Sequence, residues 1–133
     1  MANERVIRFT TSKFDVTTER PNPINPIAGE SLLMWLRERA SPQFVLSEPE
    51  AEDWGWYASV TRNGRAYMLG ASASDEEADG EREWVLQIVK QRSFTERLLG
   101  RARLETDDEC AVFFERLIRQ ASEFKRVSVD PAA

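Results

Sequence analysis

The dipeptide Asn63-Gly64 sits between two runs of alternating side chains, Asp53 to Arg62 and Arg65 to Ser74. A tight two-residue bend between antiparallel strands needs positive φ at both central positions, and Asn followed by Gly meets that at little cost. If these two residues form the bend, Arg62 faces Arg65 and the register of the whole hairpin follows. Val60 then faces Tyr67, Ala58 faces Leu69, Trp56 faces Ala71 and Trp54 faces Ala73. Because side chains alternate along a strand, these eight share one face, and that face is apolar. The opposite face pairs Thr61 with Ala66, Ser59 with Met68, Tyr57 with Gly70 and Gly55 with Ser72. A slip of one residue would turn the apolar set toward water, so the pattern specifies the register strongly.

Other segments supply partners for this hairpin. Arg5–Thr11 alternates, with Ile7 and Phe9 on one side, and reads as a strand with a turn or bulge near Ser12-Lys13. Glu83–Arg92 reads as the third strand of a meander, with Trp84, Leu86 and Ile88 on one face and Val85, Gln87 and Val89 on the other. Phe124–Val129 reads as a last strand. The prolines at 21, 23 and 26 bias the chain toward extended backbone and read as a stiff surface connection. A helix beginning within Asn25–Ser31 and ending near Ala40 carries the stripe Leu32, Leu33, Leu36 and Ala40. Gln43–Leu46 reads as a short strand and Ser47–Asp53 as an acidic loop.

Ser93-Phe-Thr-Glu96 matches a capping box for a short helix ending near Gly100. Thr106-Asp-Asp-Glu109 matches a second, opening a helix over 107–122 with Cys110, Phe113, Phe114, Leu117, Ile118 and Ala121 on one broad face. The expected architecture is α+β in a single domain of 133 residues: an antiparallel sheet, made of a three-strand meander plus N- and C-terminal strands, with two main helices packed on one face.

Composition removes several chemistries. The chain has no histidine and one cysteine, so Ser-His-Asp triads, Cys-His dyads, histidine metal sites and intrachain disulfides are excluded. Neither a metal nor a cofactor is expected. No apolar run approaches the ~20 residues that cross a bilayer, and the start of the chain lacks a signal-peptide core, so a cytoplasmic protein with no membrane partner is expected. Net charge is −5, and Glu48–Glu83 holds ten acidic and three basic residues. Nucleic acid is disfavoured as a partner because phosphate neutralisation requires a basic face.

Five constellations remain. Asp75, Glu77 and Asp79 followed by Gly80 resemble part of a calcium loop, but the twelfth position is Leu86 rather than a bidentate glutamate, which favours a solvated hairpin loop. Trp54, Trp56, Tyr57 and Trp84 lie beside Glu50, Glu52 and Asp53, rings and carboxylates of the kind that hold sugars, although the register directs Trp54 and Trp56 to the core. Arg92, Arg97, Arg101 and Arg103 form a basic cluster that reads as a solvated flank. Cys110 lies near a helix start, on its apolar face, and reads as a small buried hydrophobe. The second sheet face, with Tyr57, Met68, Val85 and Val89, is more apolar than a wet face requires.

The favoured function is a non-catalytic protein-binding module for a basic partner, or a homodimer. It would use Glu50, Glu52, Asp53, Asp75, Glu77 and Asp79 with Tyr57 and Met68 of the second face. The alternative is a carboxylate-dependent enzyme or sugar-like ligand binder around Trp54, Trp56 and Glu52.

Overall fold

A computed structural model of the chain describes residues 4–77 and 79–130. Six antiparallel strands form one sheet: β1 (Glu4–Thr11), β2 (Glu50–Glu52), β3 (Gly55–Arg62), β4 (Arg65–Ala73), β5 (Arg82–Lys90) and β6 (Lys125–Asp130), in the order β2-β3-β4-β5-β1-β6. The helices are α1 (Glu30–Ala40), the short α2 (Phe94–Leu98) and α3 (Glu109–Gln120), with a 3-10 turn at Val16–Thr18. The α+β architecture is the one read from the sequence, with β5 central between β4 and β1.

The hairpin forms as its turn chemistry requires. Asn63 has φ 52° and Gly64 φ 75°, and the ladder runs from Arg62↔Arg65 to Trp56↔Ala71 in the expected register. Trp56, Ala58, Val60, Tyr67, Leu69 and Ala71 join Ile7, Phe9, Trp84, Leu86 and Ile88 in one buried layer. Leu32, Leu33 and Leu36 of α1 and Cys110, Phe114 and Ile118 of α3 close it from above. Both main helices thus lie on the same face of the sheet.

The register fails at one residue, and this corrects the expectation for Trp54. β3 begins at Gly55, whose φ of 146° turns the chain just ahead of the strand. Trp56 is 3% exposed, whereas Trp54 is 36% exposed and lies on the opposite face. Two further departures concern residues 43–53. The Gln43–Leu46 strand is replaced by a turn with a single bridge, Leu46↔Val60. Glu50–Glu52, expected as loop, forms edge strand β2 on β3, with Glu50 opposite Tyr57 and Glu52 opposite Gly55.

The proline segment is a tied strap rather than a plain connection. The Asn22 side-chain amide donates to Glu52 O (3.0 Å) and Gly55 O (2.9 Å), and its oxygen accepts from the Ile24 and Asn25 backbones. Glu19, just before the strap, accepts from Gly29 N–H (3.1 Å) and Ser31 N–H (2.9 Å). It thereby caps α1, whose own N-cap, Gly29, has no side chain to do so; a carboxylate there also complements the helix dipole.

α3 starts later than the Thr106 box implies, with Asp108 as its N-cap. One carboxylate oxygen accepts from Ala111 N–H (3.0 Å), and the other from the buried Tyr67 hydroxyl (2.8 Å), with Lys90 Nζ at 3.5 Å. The buried Arg5 holds the same helix from β1, donating to Glu115 (3.1 Å) and to Thr106 O (2.9 Å).

A Cβ at Gly55 would lie 2.3 Å from Ala71 O, whereas one at Gly64 would meet nothing within 4 Å. Gly55→Ala is therefore expected to cost about 2–3 kcal/mol or more, combining strain with a backbone clash. Gly64→Ala carries the left-handed penalty alone, about 1 kcal/mol. Urea unfolding of the two variants checks the ranking; equal losses would contradict it.

Candidate functional site

Side chains of the other parity make up the second sheet face. Tyr57, Met68, Val85, Gln87 and Val89 are half-buried on it, while Ser59, Glu83 and Arg8 are exposed. Among the described residues no helix covers this face. The ladders align one row across it as Glu50, Tyr57, Gly70, Gln87 and Val6. A parallel row runs Ser59, Met68, Val89 and Glu4. Tyr57 and Met68, both singled out from the sequence, therefore share one surface with Val85 and Val89.

Trp54 completes it. The ring rests on Gly70, so that a Cβ there would come within 2.6 Å of Trp54 Cη2 and 3.4 Å of Gln87 Oε1. Glycine at position 70 leaves the slot, and the indole fills it between Tyr57 and Gln87, its outer surface open to water. The Glu50 carboxylate opposite Tyr57 raises the phenol above its ordinary pKa, with burial and Glu52 adding to the effect.

The expected acidic residues gather at one end of the strands. Trp54, Asp75, Glu83, Val85, Ile27 and Ser72 line a hollow of about 410 Å³. Asp53 O accepts from the Asn25 side chain (2.8 Å) at the same end, and Glu50 and Glu52 lie in β2 beside it. Glu77 and Asp79 belong to the β4–β5 loop and do not line the hollow. That loop is closed by its own hydrogen bonds, from Glu81 N–H to Asp79 Oδ1 (3.1 Å) and from Gly80 N–H to Glu77 O (3.0 Å). Among the described residues no three carboxylate, histidine or cysteine side chains group as metal ligands would.

A second surface lies at the far end of the strands. β5 leads into α2 beside the Asn63-Gly64 bend, and the short helix is inverted. Its polar residue Glu96 points inward and pairs with Arg65 through two contacts of 2.8 Å, while the Ser93 capping box holds its first turn. Its apolar residues point outward: Phe94 is 72% exposed, Leu98 72% and Leu99 55%. Arg92 ties the following loop down by donating to Arg101 O (2.9 Å). The signal for this surface was present as the apolar content of a helix too short to have a stripe.

Two other features carry less. A hollow of about 480 Å³ lies on the outer side of α1 between Met34, Trp35 and Val45, where Arg37 Nε donates to Leu46 O. Cys110 is buried with its thiol pushed up to about 12, by burial first and then by Asp108 and Glu109, which disfavours the reactive thiolate.

No family model matches the chain, and neither a curated protein nor a solved structure is significantly similar to it. No helix of the described residues is long and apolar enough to cross a membrane.

Arg65 holds the Glu96 carboxyl down to about 2, with the Ser93 backbone N–H helping. The folded value lies below the ordinary one of about 4.3, so the clamp is fully present above that pH and is lost as the pH falls through about 2. The α2 amides are expected to lose hydrogen-exchange protection over this window, and Glu96→Gln to abolish the pH dependence. Protection that stays constant from about pH 5 to about pH 2 would show that the clamp does not hold the helix.

Proposed function

We propose that the chain is a non-catalytic protein-binding module whose docking surface is the open sheet face together with the acidic end of the strands. One observation carries this reading: both main helices lie on one side of a six-stranded sheet, while the other side presents Trp54, Tyr57, Met68, Val85 and Val89. Aromatic and methionine side chains on a rigid surface are the usual anchors of an interface core. Asp53, Asp75 and Glu83 at its margin favour a basic partner by steering and by selecting against acidic competitors. Glu50 and Glu52 extend the same charge along the β2 edge, and they blunt that edge against strand addition.

A sugar-like ligand is the second reading, favoured by the half-exposed Trp54 indole beside the hollow that holds Asp75 and Glu83. Trp56 takes no part in it, being buried under α1. Titrating neutral monosaccharides against the Trp54 indole signal separates the two readings. Saturable shifts confined to Trp54 and the hollow support the sugar.

The protein-binding reading is tested by capture from the native lysate at low salt with the wild type and with Trp54→Ala/Met68→Asp. A basic protein retained by the wild type is expected to elute at about 0.5 M salt, where charges more than a few ångströms apart are screened. It is expected to bind the double variant about 30-fold or more weakly, the effect of removing about 2 kcal/mol of anchor. Identical capture by both proteins, or none at low salt, would overturn the reading.

A further inference from the structure

We infer that one partner of the acidic end is a second copy of this chain, which docks head to tail through α2. The inference rests on the proposed reading only for the use of the acidic end as a docking surface.

Both halves of such a contact are present on one molecule. The first is convex: Phe94, Leu98 and Leu99 project from α2 and lie more than half exposed. Residues 92–103 around them contain four arginines and one glutamate, and that glutamate is engaged by Arg65. The side chains of Arg97 and Arg101 have no ion-pair or hydrogen-bond partner among the described residues.

The second half is concave. The hollow of about 410 Å³ has an apolar floor of Ile27, Trp54 and Val85 and carries Asp75 and Glu83. Asp53 lies beside it, and Ile24, 58% exposed, stands on the adjoining strap. Asp53, Asp75 and Glu83 have no ion-pair partner among the described residues, whereas the neighbouring Glu81 is taken by Lys125 (3.0 Å). Apolar character and charge sign each match the projecting surface of α2.

The two surfaces cannot meet within one molecule. Tyr67↔Lys90 closes the β4–β5 ladder at the α2 end and Ala73↔Trp84 closes it at the acidic end. The intervening strand spans about 20 Å at ~3.3 Å per residue, beyond the Debye length at physiological salt. Contact therefore requires another copy, and because the two surfaces differ it is heterologous, giving a ring or an open chain. A two-fold contact of α2 on α2 would set Arg97 and Arg101 against their own copies and is disfavoured by that repulsion.

The test uses complementation between variants. Phe94→Ser/Leu98→Ser removes the projection and leaves the Arg65–Glu96 clamp and the hollow. Asp53→Lys/Asp75→Lys reverses the charge of the hollow and leaves α2. Sedimentation velocity of the wild type at low salt, from micromolar to millimolar, is expected to show mass above the monomer that falls as salt rises. Each variant alone is expected to be a folded monomer, with far-ultraviolet circular dichroism like the wild type and self-association weakened about tenfold or more. Their equimolar mixture is expected to form a 1:1 dimer and nothing larger, because only one projection and one hollow remain intact between them. A wild type that stays monomeric throughout overturns the inference, as do variants that associate like the wild type or a mixture that fails to pair. Flotation of monomeric wild type with phosphatidylglycerol vesicles and not with phosphatidylcholine vesicles would assign α2 to an anionic membrane surface and also overturn it. The projection variant retains the open sheet face, so loss of self-association with unchanged capture of a basic protein separates this inference from the proposed function.

Discussion

Two segments converge on the carbonyl oxygen of Ala71 in β4. A Cβ added at Gly29 would lie 2.2 Å from it and one at Gly55 2.3 Å. The backbone at the start of α1 and the backbone at the start of β3 both press against the middle of β4, and neither could with any side chain in place. Ala73 N–H donates to Ala28 O (2.9 Å) at the same junction. This close approach seats α1 on the sheet with Trp56 beneath it. It also forces the turn at Gly55 that sends Trp54 to the opposite face. The core and the candidate surface are thus consequences of one steric constraint.

Alternation along the strands made most of the core legible. Asn63-Gly64 set the register, and every strand residue from Trp56 to Ala71 lies on the face that alternation assigns to it. Trp54 broke the pattern because alternation holds only where φ is that of a strand, and Gly55 at 146° is not. Read by spacing, a glycine between two tryptophans looks like a gap in a strand, while physically it is the place where the strand begins. Edge strand β2 escaped for a related reason. Glu-Ala-Glu has no strand propensity of its own, and its pairing with β3 is supported from outside by the Asn22 strap, which donates to Glu52 O, and by Arg20, which donates to Pro49 O (2.7 Å). Tertiary hydrogen bonds of that kind leave no periodic trace.

The acidic half of the candidate surface was legible from charge alone, since ten carboxylates within Glu48–Glu83 have to be solvated or partnered. Their convergence around Trp54 was not, because it depends on the strap bringing residues 22–27 beside residues 52–55. Glu77 and Asp79 fell away from the hollow for a local reason. Asp79 Oδ1 accepts from Glu81 N–H and the Glu77 backbone carbonyl accepts from Gly80 N–H, so both residues belong to the turn of the β4–β5 loop and not to the hollow.

α2 shows the limit of burial as a guide to function. Phe94, Leu98 and Leu99 in any longer helix would be assigned to a core stripe, and the Ser93–Glu96 box says only where the helix starts. Which side faces the protein was decided by the Arg65–Glu96 pair, two exposed-looking residues 31 positions apart. An ion pair between partly exposed groups contributes little to overall stability. It can still choose between two orientations of a five-residue helix, since neither orientation buries enough apolar area to decide the matter. Here the choice leaves three large apolar side chains in water at the end of the molecule opposite the acidic hollow. The charge segregation along the strands and the inversion of α2 therefore have a common origin: hydrophobic packing on the helix side fixed the sheet, and the groups left over were sorted by electrostatics.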